Sequence, residues 1–245
     1  MAVITPKIKF DKAGYYFVGL VILVFLGFWP SYFAKFASGT NKYPFYFHFH
    51  ATMMSLWILA LIVQPILIRK KKLALHRTIG KVTYIFMPLL FLSVILLTNY
   101  QMESHVEIIA NEKFYGPHLI VPFKDLLIIG IAYIIAVRYR HNVNIHARAM
   151  VATGIVFIEP ALVRFLQYAV FPDNGVIAFL TTLAIVYGIL ITMIIIERKQ
   201  KSGRWVFPLI LGLYIIVHSI IIFQLNIPGW ETFARWFAAL PLTKH

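Results

Sequence analysis

The sequence contains no cysteine and few acidic residues. Asp and Glu together number nine among 245 residues. The absence of cysteine excludes disulfide bonds, thiolate metal ligands, cysteine-ligated iron–sulfur clusters and c-type haem attachment. Any metal or haem would therefore have to be bound by histidine, carboxylate or methionine.

Charged residues of both signs make up 13% of the chain, whereas apolar residues make up 60% and the mean hydropathy is +0.79. Soluble domains carry about 25% charged and 45–50% apolar residues. A soluble core of this size cannot hide so much apolar surface, so lipid must cover it. No stretch is polar enough or long enough to be a linker, which predicts one domain over residues 1–245.

Seven apolar runs of about 20 residues follow one another, each long enough for an α-helix to cross roughly 30 Å of hydrocarbon. The sequence therefore predicts an all-α fold, an integral membrane bundle of seven transmembrane helices. We number these predicted helices as spans one to seven. They lie near residues 14–36, 45–68, 79–98, 119–138, 148–170, 176–196 and 205–226.

Lysine and arginine are distributed unevenly between the two ends of these spans. Sixteen lie in the segments 1–13, 69–81, 138–148 and 197–204, and six lie on the opposite side. This bias is the topology signal of cytoplasmic loops, and it favours contact with anionic lipid headgroups over binding of nucleic acid. The sequence predicts a multi-pass protein of the bacterial inner membrane, with the N-terminus in the cytoplasm and the C-terminus outside.

Aromatic and apolar residues recur at helical spacing after span seven. Trp230, Phe233, Phe237 and Leu240 lie three or four residues apart. This spacing predicts a short amphipathic helix at the interface, on the outer surface of the membrane.

Ionisable side chains within the spans are functional candidates, because a charge in the bilayer costs at least about 2.5 kcal/mol. A rise of about 1.5 Å per residue places several of them in the outer half of the membrane. They are His50 on span two, His118 and Asp125 on span four, Glu159 and Arg164 on span five, and His218 on span seven. Within span five, Pro160 is expected to bend the helix, because it cannot donate a hydrogen bond to the carbonyl of Val156.

We predict that His50, Asp125 and Glu159 face one another and line a polar pocket. A metal or cofactor there would be bound by His50, His118, Asp125 and Glu159, with Arg164 orienting a carboxylate or a propionate. Imidazole and carboxylate suit a divalent metal such as zinc, iron or manganese, and two imidazoles suit haem b. In the alternative interpretation, the two carboxylates pair with Arg164 or Lys124 and hold helices together.

A second polar group lies at the cytoplasmic ends of spans three and five. It consists of His76, Arg77, His146 and Arg148. A cation at a helix N-terminus opposes the helix dipole, and a bound anion would remove that conflict. We therefore expect these residues to bind an anionic lipid headgroup or a phosphorylated substrate, although topology alone also explains many of the charges.

Several short motifs resemble an uncharacterised family of bacterial multi-pass membrane proteins that share a domain of unknown function. The likeness covers roughly residues 25–170. It is carried by His48-Phe-His50, Gln64-Pro65-x-Leu67, Leu75-His76-Arg77-x-x-Gly80, His146-x-Arg148-x-Met150 and Pro160-Ala161-x-x-Arg164. The chain departs from the family pattern at Ala51, where glycine is common, and at Ala147 and Ala149, where the family often has Lys and Leu. The resemblance implies roles for the matched His and Arg residues but no reaction.

Three functions remain open from the sequence. The first is a protein whose outer pocket binds a metal, a cofactor or a lipid-like ligand, including a metalloenzyme that acts on lipids with Asp125 or Glu159 as base. The second is a b-type haem protein for electron transfer, with His50 and His118 as one axial pair and His76 and His146 as the other. The third is a non-enzymatic structural subunit or assembly factor, with other membrane subunits as partners.

The predicted topology can be tested with a reporter fused after His245. We expect activity only from a reporter that works outside the cytoplasm, since seven crossings starting inside end outside. Cytoplasmic activity from the same fusion would contradict either the number of spans or their orientation.

Overall fold

The computed structural model describes residues 10–103 and 116–243 and, within the second range, side chains from residue 120 onward. All regular structure in these residues is helical. The α-helices are α1 (Ala13–Phe28), α2 (Ala34–Ala37), α3 (Phe45–Arg69), α4 (Leu73–Glu103), α5 (Gly116–Arg138), α6 (Val143–Ile155), α7 (Ile158–Ala169), α8 (Gly175–Glu197), α9 (Val206–Ile222) and α10 (Trp230–Ala239).

Six helical segments are long and apolar enough to cross a membrane. They are Phe10–Ala37, Phe45–Arg69, Leu73–Glu103, Ile120–Arg138, Val143–Ala169 and Gly175–Glu197. The seventh predicted span corresponds to α9, which is apolar but has 17 residues. Large apolar side chains remain exposed on the helices, among them Ile85, Ile134 and Ile216. The prediction of an all-helical, multi-pass architecture is confirmed at this level.

Two predicted boundaries differ from the observed helices for local reasons. Span three was expected from residue 79, whereas α4 begins at Leu73, so His76 and Arg77 lie in its first turns. Span five was expected from residue 148, whereas α6 begins at Val143. The side chain of Asn142 caps α6 by accepting a hydrogen bond of 3.3 Å from the backbone N–H of Ile145. In both helices the first turn is more polar than the apolar run from which the span was predicted, and the predicted span therefore begins too late.

The span formed by α6 and α7 is interrupted in the middle. The helix stops at Ile155 and restarts at Ile158, with a turn at Val156 and Phe157. Pro160 follows within the first turn of α7, where its missing N–H leaves the preceding turn without a regular hydrogen bond. The expected bend is a short turn in one continuing span, since Val156 and Phe157 keep right-handed helical dihedrals (φ −58°, ψ −32° and φ −74°, ψ −15°). In its most apolar stretch, 67% of this span is buried, against 17–39% for the other five.

Helix α1 packs closely against α3 and α7. A Cβ atom at Gly27 would overlap the backbone carbonyl of Ala161 on α7, and one at Gly14 would lie 2.6 Å from the carbonyl oxygen of Ile62 on α3. Small residues at such positions let helices in membranes approach and gain van der Waals contact. The first span is therefore part of the bundle and covers the interrupted span.

The amphipathic helix predicted after span seven is present as α10, its location on the outer membrane surface stays a prediction, and its apolar face packs against the protein itself. In α10, Ala234, Phe237 and Ala238 are buried in a cluster with Met102 of α4. The buried amide of Asn99 donates hydrogen bonds to the carbonyls of Phe237 (2.7 Å) and Leu240 (3.3 Å). These contacts attach α10 to the end of α4, while Trp236 on its other face is exposed.

Replacing Gly27 by Ala tests the close contact between α1 and α7. We expect a loss of about 1–3 kcal/mol of stability, since the added methyl group forces the two backbones apart. The matched control is Gly19→Ala on the same helix, where nothing lies within 4 Å of a new Cβ atom. Thermal unfolding in detergent should separate the two variants, and equal stability would contradict the packing described.

Candidate functional site: a buried charge network

The side chain of Lys124 lies inside the bundle, and only 2% of the residue is exposed. Its ammonium group donates a hydrogen bond to Oε1 of Glu159, a residue that is 3% exposed. The ammonium nitrogen also lies 3.2 Å from Oδ1 of Asp125. It is also 5.2 Å from the centre of the Tyr214 ring, within the range of a cation–π interaction. Lys124 therefore has two carboxylates and one aromatic face around its charge.

His218 of α9 joins the same network. Its Nε2 atom is 3.3 Å from Oε1 of Glu159 and 3.4 Å from Nζ of Lys124, and its Nδ1 atom is 2.8 Å from the hydroxyl of Tyr187. Two tautomers fit these contacts: Nε2–H donates to Glu159 while Nδ1 accepts from Tyr187, or Nε2 accepts from the Lys124 ammonium while Nδ1–H donates to Tyr187. We adopt the first, because the Nε2 contact to Glu159 is the shorter one. We use the name central network for Lys124, Glu159, His218 and Tyr187.

The central network lies well inside its helices when they are counted from one end, and nearer the other end, since His218 is only about 6 Å from Ile222 at the end of α9. Counted from Arg138, Val143, Glu197 and Val206, its members lie roughly 15–24 Å along their helices at 1.5 Å per residue. Each of the four comes from a different helix: α5, α7, α8 and α9. Glu159 occupies the first turn of α7, directly after the turn that interrupts the span, where the positive end of the helix dipole favours a carboxylate.

Arg164 and His50 lie beside the central network. Nη1 of Arg164 donates a hydrogen bond of 2.8 Å to the carbonyl of Pro160, and the guanidinium is 4.7 Å from the centre of the Phe28 ring. Arg164 also interacts electrostatically with Asp125 and with His50. The Nδ1 atom of His50 is 3.4 Å from the hydroxyl of Ser93 on α4.

The predicted pocket residues therefore differ in what they contact. Glu159 is at the centre, and Asp125 is at the edge with 19% of its side chain exposed. His50 has its hydrogen-bond contact on α4, and Arg164 is tied to its own helix. His118 lies in the first turn of α5, and its side chain is outside the described part of the structure.

Among the described residues, no group of three or more His, Asp or Glu side chains could hold a metal ion. The ammonium of Lys124 lies where a metal shared by Asp125 and Glu159 would have to bind, and it already neutralises both carboxylates. The expectation of a metal site thus has no support in this part of the chain. The contacts match the alternative in which the carboxylates pair with Lys124.

The cytoplasmic group contains a second buried ion pair. The guanidinium of Arg148 donates a hydrogen bond to Glu197 at the end of α8, and both side chains are fully buried. Nη1 of Arg148 also donates to the carbonyl of Asn144 at 2.6 Å, and the ring of Phe10 lies 5.0 Å away. Gly203, with φ +81°, packs against this guanidinium. Arg148 therefore has a carboxylate of the protein as its counter-ion.

The other cytoplasmic candidates lie closer to the surface. Arg77 is exposed, and His76 is half-buried and interacts electrostatically with His146. The Nδ1 atom of His146 is 2.9 Å from the carbonyl oxygen of Ala136. Gln64 of α3 donates a hydrogen bond of 3.3 Å to the carbonyl of His76. Their proposed contact with an anion stays a prediction.

Sequence reasoning missed several members of these networks. Lys124 was named as a pairing partner in the alternative interpretation but was counted among the charges on the outer side, and Tyr187, Tyr214 and Glu197 were not considered. The available signal for Lys124 was its position next to Asp125 inside an apolar run, where two adjacent charges are costly unless they are paired. For Glu197 the signal was an acid at the cytoplasmic end of one span, level with Arg148 at the start of another.

The chain has the fold of a multi-pass helical membrane protein, and its site is a buried network of ionisable side chains. No family model, no curated protein and no solved structure matches it. The resemblance to the uncharacterised bacterial family therefore stays a prediction.

Removal of either member of the Lys124–Glu159 pair should destabilise the protein. Lys124→Met or Glu159→Gln alone leaves a buried charge without its partner, and we expect a loss of about 3–5 kcal/mol. The double variant removes both charges and should recover most of that stability. The control pair, Glu231 and Arg235, is exposed on α10, and its removal should cost about 0–1 kcal/mol. Additive losses in the double variant, read by unfolding in detergent, would contradict the pairing.

Proposed function

We propose that this protein is a seven-span protein of the bacterial inner membrane, with the N-terminus inside and the C-terminus outside. The structure supports the orientation indirectly: with the buried, paired Lys124 and Arg148 both left out of the count, the outer side has five Lys and Arg against fifteen on the inner side. Helix α9 spans about 26 Å, close to the roughly 30 Å of hydrocarbon, and bilayers thin locally around shorter helices.

We further propose that the central network binds and releases a proton within the membrane, as part of a transport function. The observation that carries this proposal is the unbroken chain of contacts from Tyr187 through His218 and Glu159 to Lys124. Ionisable chains of this kind inside a bilayer mark ion pathways and proton relays.

Stability alone does not account for this network. Buried ion pairs can often be replaced by apolar residues with no loss of stability, because removing two charges from water costs as much as their attraction returns. An apolar pair at positions 124 and 159 would be the simpler solution for holding α5 against α7. The presence of the charges therefore favours a role for them beyond packing.

The hydrogen bonds around His218 suit two protonation states. In the neutral state, Nε2–H donates to Glu159 and Nδ1 accepts from the hydroxyl of Tyr187. When Nδ1 gains a proton, it donates to the same hydroxyl oxygen, because a phenol can donate or accept. Nε2–H keeps its acceptor in both states, so the imidazole can take up a proton without losing a contact. Imidazole is also the side chain that titrates between about pH 5 and 8 when unperturbed.

The contacts in the central network support the functions predicted from sequence less well than they support proton binding. A divalent metal would have to compete with the Lys124 ammonium for Asp125 and Glu159. A lipid-like ligand would need a polar contact near the bundle surface. Asp125 is the carboxylate that could provide it, and 19% of its side chain is exposed. A purely structural role remains the direct competitor, and it requires His218 to stay in one protonation state.

Nitrogen NMR of 15N-histidine-labelled protein in lipid nanodiscs tests proton binding. On acidification we expect one buried histidine to gain a proton, and His218→Gln should remove its signal. Glu159→Gln removes the counter-ion of the imidazolium and should abolish the change. Asp125→Asn is the matched control, since Asp125 makes no direct contact with His218, and the titration should persist. A constant His218 signal in the wild type would contradict the proposal.

A further inference from the structure

Arg164 is a charged side chain within a span, and no carboxylate of the described residues is bonded to it. The two other cations inside the bundle have such partners, since Lys124 pairs with Glu159 and Arg148 pairs with Glu197. A guanidinium has five N–H donors, and the described residues accept one hydrogen bond from that of Arg164. Direct contact therefore leaves the charge of Arg164 without a counter-ion.

The side chain of Arg164 turns towards the middle of the membrane. Helix α7 runs from the middle of its span to the end, and the guanidinium donates to Pro160, one turn nearer the middle. The guanidinium also lies 4.7 Å from the centre of the Phe28 ring. Phe28 is level with Ala161, because a Cβ atom at the adjacent Gly27 would overlap the Ala161 carbonyl. This level is about 12 Å inside the end of α7 at 1.5 Å per residue.

This direction is the opposite of what a surface marker would show. Long basic side chains near the end of a span usually extend towards the headgroups and water. Charged side chains that stay inside a bilayer are costly, and they mark paths for substrates or ions. The depth and direction of the Arg164 guanidinium therefore favour a binding role over a role in topology.

Asp125 does not take the place of a bonded counter-ion. It interacts electrostatically with Arg164, without an ion pair between the two side chains. Its Oδ1 atom lies 3.2 Å from the Lys124 ammonium, so its charge is already shared with that group. The N–H groups of Arg164 thus still need an acceptor.

One edge of the Arg164 guanidinium remains available. Nη1 donates to Pro160, and the Phe28 ring contacts the face of the group without using a donor. Nε and Nη2 form the other edge, and no described residue accepts a hydrogen bond from them. The protein seals off Nε of Arg148 without a partner, but it does not seal these two atoms in that way. A ligand can therefore reach this edge.

We propose that the Nε and Nη2 edge of Arg164 binds the carboxylate or phosphate group of a ligand, in the outer half of the membrane. The planar fork of a guanidinium donates two parallel hydrogen bonds to two oxygens of one such group. Pro160 and Phe28 hold the fork in place for this contact. A soluble anion and a lipid headgroup both offer this chemistry. The inference goes beyond the proton binding proposed for the central network, and it does not depend on it.

Thermal unfolding of the full-length protein in a non-ionic detergent tests the site, because a ligand that binds the folded state stabilises it. The probes are sodium acetate, sodium phosphate and dioleoyl phosphatidylglycerol. NaCl at the same ionic strength is the control for the two salts. Dioleoylglycerol, which has the same chains without the phosphate, is the control for the lipid. We expect at least one probe to raise the Tm by about 5 °C or more above its control near saturation.

Arg164→Gln removes the guanidinium and should abolish this rise in Tm. Arg164→Lys keeps a positive charge but loses the fork, so the probe concentration for half-maximal stabilisation should increase about tenfold. Arg235→Gln is the matched control. The guanidinium of Arg235 is exposed and donates to Glu231 of the same helix, so this variant should keep the rise in Tm.

The probe that acts identifies the source of the bound group. A rise with acetate or phosphate that depends on Arg164 indicates a soluble anion, and a rise with phosphatidylglycerol alone indicates a lipid headgroup. No rise with any of the three probes, or an equal rise with the controls, would overturn the proposal. A rise that Arg164→Gln leaves intact, or an unchanged half-maximal concentration in Arg164→Lys, would overturn it as well.

Discussion

The charge of Lys124 has to be neutralised inside a bundle that lipid surrounds, and the arrangement of four helices depends on how this is done. Glu159 and Asp125 supply the negative charge, His218 contacts Glu159, and Tyr187 forms a hydrogen bond with His218. Because each partner comes from a different helix, a rotation or shift of α5, α7, α8 or α9 would leave a charged or polar group unpaired at a cost of several kcal/mol. The network thus fixes the interior of the bundle.

The interrupted span is what allows a carboxylate to be present at that depth. Its two halves hold Arg148 and Glu159, and α8 provides a partner at each level: Glu197 for Arg148, and Tyr187 for the network around Glu159. The turn at Val156 and Phe157, caused by Pro160, places Glu159 at the start of a new helix. There the helix dipole favours its charge, and the nearby backbone lacks regular hydrogen bonds. One proline therefore shapes both the local backbone and the electrostatics of the site.

Hydropathy predicted the helices because a bilayer requires about 20 apolar residues per crossing, whatever their packing. It did not predict which side chains meet. The interior of a membrane bundle is as apolar as its lipid-facing surface, and hydropathy therefore does not define how each helix is rotated about its axis. Depth arithmetic placed Asp125 and Glu159 at similar levels, and the structure brings both to Lys124. Lys124 itself was assigned to the outer surface because lysines near helix ends usually extend towards water. Its burial, and that of Arg148, depends on partners distant in sequence.

The central claim is that Lys124 and Glu159 form a buried ion pair inside the membrane. Solid-state NMR of the protein in lipid bilayers, with 15N at lysine Nζ and 13C at the glutamate carboxyl carbon, measures this contact directly. We predict a strong dipolar coupling between the Lys124 ammonium nitrogen and the Glu159 carboxylate carbon, assigned by its loss in Lys124→Met. A Lys124 nitrogen that shows no coupling to Glu159 and exchanges its protons freely with water would contradict the account.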